Sequence, residues 1–201
     1  LLCLVAGGPV ASGLPLVAAV DRAVKGGVNM VQLRQREMPA ADLLVLAMQL
    51  KTVCGHRAML FINDRVDVAL AVGAVGVQLG ERSLPVDAVR SIAGDRLMIG
   101  RSVHSVEGAV AARSADFLVV GTIYPSATHP GAAAAGPELV RGVVRATAAT
   151  VVGIGGITAA NAGDVTAAGA AGVAVVGAVL GAADPFQAAV ELRRAITGTD
   201  R

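Results

Sequence analysis

Aromatic side chains are nearly absent from this 201-residue chain: it has no Trp, one Tyr and three Phe, although 54% of its residues are hydrophobic. A chain of this length can bury a sizeable core. That core has to be built from Val, Leu, Ile and Ala, the composition of strands covered on both faces. Charge of either sign is also scarce. Lys and Arg number 17 against 15 Asp and Glu, a net charge of +2, and no basic run interleaves with aromatics. A nucleic-acid partner is therefore not expected. Cysteine is limited to Cys3 in the first apolar run and Cys54 near a helix end. Two thiols so placed read as packed groups and exclude a disulfide framework. The uncharged stretch 167–183 falls short of a membrane span and glycine interrupts it repeatedly, so no membrane partner is expected. No signal-peptide pattern is visible, and the expectation is a cytoplasmic enzyme.

What the chain does have is one repeated grammar. In Phe61-Ile62-Asn63-Asp64-Arg65-Val66-Asp67 an apolar strand ends in a carboxamide and a carboxylate, and a helical pattern follows at once. Short Val/Ile/Leu runs are predicted as strands near 1–5, 29–34, 58–63, 75–79, 97–101, 116–121, 150–154 and 172–176. Amphipathic, Ala-rich segments between them predict helices near 15–25, 39–53, 65–72, 85–92, 105–113, 137–147, 158–167 and 185–196. Pro39, Pro85, Pro137 and Pro185 fall at or next to helix starts, where a missing N–H costs little. Asp184 before Pro185 is a candidate N-cap. Eight such units predict a (β/α)8 TIM barrel, an α/β single domain spanning 1–201, with its chemistry at the strand C-termini. The alternative is an open doubly wound sheet, but Ala6-Gly7-Gly8-Pro9 after the first strand does not match a dinucleotide-binding turn.

The polar residues at those strand ends are the candidates for chemistry. Gln32 and Arg34 share one side of the second strand, with Arg36 beyond them. Two guanidiniums there suit phosphate oxygens, or form a surface pair beside Glu37. Asn63 and Asp64 end the third strand, where a carboxylate can hold Mg2+ together with substrate phosphate oxygens, or cap the next helix. Ser83 before Leu84-Pro85 reads as a helix cap, and Gln78 as neither acid, base nor metal ligand. Ser102 can hydrogen-bond an oxyanion or cap a helix, and His104 has no acid placed to orient it. Loop six, 121–136, is long and holds Ser126, Thr128 and His129. The turn Gly153-Ile154-Gly155-Gly156-Ile157 and Val176-Gly177-Ala178 expose backbone N–H groups after strands seven and eight, where such barrels bind phosphate.

Taken in order, Gln32-Leu33-Arg34-Gln35-Arg36, Asn63-Asp64, Gly76-Val77-Gln78-Leu79-Gly80, Gly100-Arg101-Ser102-Val103-His104-Ser105, loop six and the Gly-Ile-Gly-Gly-Ile turn resemble the thiamine phosphate synthase and thiazole tautomerase superfamily. The likeness runs over nearly the whole chain. In the synthase branch it implies a transferase of thiamine biosynthesis. A hydroxymethylpyrimidine diphosphate is coupled to a thiazole phosphate, and diphosphate leaves with Mg2+. By position, Gln32, Arg34, Arg36, Asn63 and His129 would hold the pyrimidine diphosphate, and Asp64 the metal. Ser126, Thr128, Gly155, Gly156, Val176 and Gly177 would meet the thiazole phosphate. Ser102, Arg34 and His129 would stand nearest the reaction. The resemblance sets no oligomeric state.

The chain departs from both patterns of that superfamily. The synthase pattern has lysine where Arg36 and His129 stand, histidine where Gln78 stands, and a second metal carboxylate where Ser83 stands. Gln78 and the Arg-Ser-Val-His run are closer to the tautomerase branch, an isomerase that moves a proton on a thiazole carboxylate phosphate. Its histidine early in loop six is Thr122 here. The guanidinium and carboxylate corner of Arg34, Arg36, Asn63 and Asp64 favours the synthase. The isomerase and a barrel that only binds a thiamin precursor are the alternatives.

Overall fold

The structure, a computed structural model, describes residues 1–126 and 133–198. Among them β1 (Leu2–Ala6), β2 (Met30–Leu33), β3 (Met59–Asn63), β4 (Gly76–Leu79), β5 (Met98–Val103), β6 (Phe117–Val120), β7 (Thr150–Ile154) and β8 (Gly172–Val175) form a closed parallel barrel in sequence order. β8 returns to β1 with Val173 opposite Leu2 and Ala174 opposite Cys3. The helices alternate with them: α1 (Leu16–Lys25), α2 (Ala40–Cys54), α3 (Val66–Val72), α4 (Val86–Ala93), α5 (Val106–Ala111), α6 (Gly136–Ala146), α7 (Ala162–Ala167), α8 (Gly177–Leu180) and α9 (Pro185–Thr197). This is the (β/α)8 barrel the strand–helix alternation implied. No helix among the described residues is long and apolar enough to cross a membrane.

Two apolar layers explain the near-continuous hydrophobic strands. Outward residues such as Leu4, Val31, Ile62, Val77 and Ile99 pack under the helices. The inward set Cys3, Val5, Met30, Phe61, Phe117, Val119, Val152 and Ala174 forms a separate cluster that fills the lumen. Two of the three phenylalanines sit there, ring edge against ring face, with centroids 5.3 Å apart. Glycine makes the room. A Cβ on Gly76 would lie 2.4 Å from the Phe61 ring, and one on Gly100 would lie 2.3 Å from the Phe117 ring. The lumen is thus packed by pairing a few large rings with missing side chains.

Several local details differ from the sequence-based expectation. α7 begins at Ala162 rather than near 158, because the Asn161 side chain organises a turn first. It accepts from Thr158 N at 2.8 Å and donates to Gly156 O at 3.1 Å. The short helix α8 forms where the sequence pattern predicts a turn. It buries Val179 and Leu180, and Ala11 N donates to Leu180 O at 2.8 Å, so its reason for forming lies in the loop after the neighbouring strand β1. Asp184 does cap α9, accepting from Phe186 N at 3.0 Å. Ser102 lies within β5 rather than after it.

Candidate active site

The strand C-termini open into a cavity of about 810 Å3. Gln32, Arg34, Arg36, Asn63, Asp64, Ser102, Ser126, Gly155, Gly156, Val176 and Gly177 all line it. Thr128 and His129 lie outside the described residues. One mouth therefore collects every described candidate from β2, β3, β5, loop six, β7 and β8.

One side of the cavity is a relay of polar side chains. Gln32 is buried, and its Nε2 donates to Asn63 Oδ1 at 2.9 Å. Asn63 Nδ2 donates to Asp64 Oδ2 at 2.8 Å. Asp64 has a φ of 60°, the left-handed region that Asp tolerates better than most residues, and its N–H donates to Gln78 O at 3.0 Å. Neither Asn63 nor Asp64 caps α3, whose N-cap is Arg65 with no side-chain bond. Ser83 does not cap α4 either; Pro85 holds that position. Instead the Ser83 hydroxyl donates to Asp64 Oδ1 and accepts from Gly80 N at 2.7 Å. The loop carrying Ser83 is pinned from β5, where the Arg101 guanidinium donates to Glu81 O and Leu84 O, both at 3.1 Å.

Charge across this corner is mixed. Burial lowers the pKa of Arg34, the Arg36 guanidinium beside it lowers it further, and Asp64 opposes both. Two neighbouring guanidiniums, one of them partly desolvated, gain most from an anion placed between them. The sequence pattern places no acid to orient His104. The fold supplies one: Glu81 Oε1 lies 3.8 Å from His104 Nε2, while His104 Nδ1 bonds Gly121 O. Ser105, not His104, begins α5 as its N-cap. Glu81 stands 23 residues upstream on another loop, so no sequence spacing signals the pair.

The other side is backbone. Gly155 and Gly156 have φ of 104° and 62°. Loop six runs along this turn, with Ile123 N donating to Ile154 O and Tyr124 N to Gly155 O, both at 3.0 Å. Its return leg closes back through Ala135 N to Thr122 O and Gly136 N to Ile123 O, both at 2.9 Å. A Cβ on Gly156 would lie 2.4 Å from Pro125 O, whereas a Cβ on Gly177 would meet nothing within 4 Å. Gly156 is thus required for packing as well as available to a ligand, and Gly177 is open to the cavity.

The described residues contain no group of three or more His, Cys, Asp or Glu able to hold a metal ion. Asp64 is a single carboxylate, already accepting from Ser83 and Asn63. That donor set suits Mg2+ which takes most of its oxygens from a substrate diphosphate and water, and it does not suit an all-protein cage.

Fold and cavity together define a (β/α)8 barrel whose rim sets a guanidinium–carboxylate corner against a glycine-rich backbone turn. Residues 2–179 match the model of the thiamine monophosphate synthase family, and the chain belongs to that family. It is 39% identical over 185 residues to the thiamine-phosphate synthase of Pyrococcus horikoshii, covering 90% of this chain and 89% of that one. It is 43% identical over 192 residues to the thiamine biosynthesis bifunctional protein ThiM/ThiE of Symbiobacterium thermophilum, covering 92% of this chain and 40% of that protein. Among solved structures, a thiamine phosphate pyrophosphorylase from Pyrococcus furiosus superposes with a TM-score of 0.89 at 35% identity, covering 100% and 96% of the two chains.

Proposed function

We propose that this enzyme is a transferase that makes thiamine phosphate. It joins a hydroxymethylpyrimidine diphosphate to a thiazole phosphate and releases diphosphate. The observation that carries this reading is one cavity lined both by two guanidiniums beside a carboxylate and by two glycine-containing backbone turns. Arg34 and Arg36 stand on one face with Asp64, and the backbone of Gly155-Gly156 and Val176-Gly177 on the other. A site for one phosphorylated ligand needs only one of them. A volume of about 810 Å3 also accommodates two small ligands side by side.

In this reading Arg34 and Arg36 hold the diphosphate and stabilise the charge it gains on leaving. Gln32 and Asn63 orient the pyrimidine end, and the Gln32–Asn63–Asp64 relay keeps both amides pre-organised. Asp64 is the residue that would hold Mg2+, which when bound helps to neutralise the departing diphosphate. Ser126, Thr128 and the two backbone turns hold the thiazole phosphate. Ser102, between the two faces, donates a hydrogen bond at the reacting groups. His129 adds a cation when protonated.

The test is thiamine phosphate formation from the two substrates as Mg2+ is varied. Asp64→Asn should abolish coupling. Thiazole phosphate binding should change less than about twofold, because that ligand contacts the opposite face. A wild type that forms no product at any Mg2+ level would sink the synthase reading. Aromatisation of a thiazole carboxylate phosphate by that same preparation would put the isomerase in its place. Among the described residues the His104–Glu81 pair, with Nδ1 tied to Gly121 O, is a proton-transfer group within its reach, and His129 is a second candidate.

A further inference from the structure

Gln78 is a buried polar residue without a role in the reaction described above. It is 1% exposed, it does not line the cavity, and its register partner on β5 is Gly100, two residues before Ser102. Its Nε2 donates to Ser102 Oγ at 3.1 Å and faces Leu79 O at 3.5 Å. A backbone carbonyl can only accept, so the amide nitrogen belongs on that side and Oε1 on the other. Oε1 has no hydrogen-bond partner among the described residues. For stability alone Gln78 is a poor choice. It makes one neutral bond of modest net value and leaves one buried acceptor unsatisfied, a cost of the same order or larger.

The bond to Ser102 has a consequence that stability does not capture. A hydroxyl has one hydrogen. Because Ser102 Oγ accepts from Gln78 below, its own O–H remains for an acceptor above, on the cavity side. Ser102 lines the cavity, and no acceptor for its hydroxyl is found among the described residues. A neutral amide does not titrate, so this polarity holds across pH. We propose that Gln78 is a positioning residue that holds the Ser102 hydroxyl as a hydrogen-bond donor to an oxygen or ring nitrogen of the substrates. The inference rests on the reading above that Ser102 touches substrate.

Three variants and two assays test it. Gln78→Met removes the bond to Ser102 together with the orphaned acceptor. Its thermal midpoint should equal or exceed that of the wild type. Its kcat for thiamine phosphate formation should fall about tenfold, and its affinity for thiamine phosphate, by titration calorimetry, about fivefold, as loss of one oriented hydrogen bond predicts. Gln78→Glu is the polarity test. When ionised, its carboxylate accepts from Ser102 and turns the hydroxyl away from substrate. When protonated, its O–H donates as the amide did. Activity of Gln78→Glu should therefore be low at alkaline pH and recover as pH falls through the raised pKa of a buried carboxyl, an inflection the wild type lacks. Ser102→Ala separates this inference from the reading beneath it. Loss in Ser102→Ala with wild-type kcat and affinity in Gln78→Met overturns the role of Gln78 alone. Wild-type behaviour in Ser102→Ala overturns both. If the wild type binds thiamine phosphate without forming it, the synthase reading fails and the calorimetric ratio decides the role of Gln78.

Discussion

At the residue scale the most consequential contact is the one between Ser83 and Asp64. Serine on the β4–α4 loop donates to the carboxylate that the family reading assigns to the metal, and Gly80 N closes the same turn. The Ser83 hydroxyl and the Asn63 amide both donate to Asp64, so its oxygens already have partners within the protein. Substituting Ser83→Asp sets two carboxylates against each other. In EDTA this variant should lose about 1 kcal/mol, or roughly 3 °C in thermal midpoint, from like-charge repulsion. Added Mg2+ should restore and then exceed the wild-type midpoint, because binding to the native state alone stabilises it. A midpoint that does not respond to Mg2+ would show that the two side chains cannot share an ion. The position of Asp64 at the end of an apolar strand, on the cavity rim, was legible in the sequence. The partner that occupies its carboxylate was not, since Ser83 looked like a cap for the helix two residues on.

At the element scale the turn after β7 and the start of α8 both contain glycine for different reasons. Gly156 has positive φ and lies under Pro125 and Tyr124, so a side chain there displaces loop six before it reaches any ligand. Gly156→Val is therefore expected to destabilise the fold, by roughly 1–3 kcal/mol or more, as overpacking does. Gly177 has open space around its Cβ position and no positive φ. Gly177→Ala should leave the thermal midpoint unchanged and weaken thiazole phosphate binding by obstructing approach to the backbone. Isothermal titration of both variants checks this, and full affinity in a folded Gly177→Ala would remove the β8 turn from the phosphate site. The sequence showed two small-residue turns after consecutive strands and could not rank them. Which glycine is needed for packing depends on loop six, whose outgoing leg hydrogen-bonds to Ile154 and Gly155.

At the scale of the whole molecule the core contains two thiols and little else that titrates. Burial pushes Cys3, in the lumen, up to about 12 and Cys54, under the helices, to about 11, from an ordinary 9.0. In both cases burial outweighs an opposing contact, the Gln32 backbone for Cys3 and Arg57 for Cys54. A raised native pKa means that the native state favours the protonated thiol. Its contribution is fully present below pH 9 and is lost as pH rises toward about 11 for Cys54 and about 12 for Cys3. Denaturant unfolding should show stability falling across that window, by roughly 1.4 kcal/mol per thiol per pH unit. A variant with both cysteines changed to alanine should lack that component of the slope. The same burial predicts that neither thiol reacts with an aromatic disulfide reagent at pH 8 until the protein unfolds.

The architecture was written in local pattern. Short Val-, Ile- and Leu-rich runs, each followed by a helical period, specify a parallel α/β barrel, because strands covered on both faces must be apolar throughout. The same pattern put Arg34, Asn63, Asp64 and Ser102 at strand ends, and parallel topology alone carries strand ends to one rim. Contacts between one βα unit and its neighbour could not be read this way. The donation from Gln78 to Ser102, the approach of Glu81 to His104 and the capture of Asp64 by Ser83 join residues on different strands and loops, at separations set by register and loop path. Sequence spacing encodes the direction in which a side chain leaves its own strand. Only the closed barrel decides which side chain it meets.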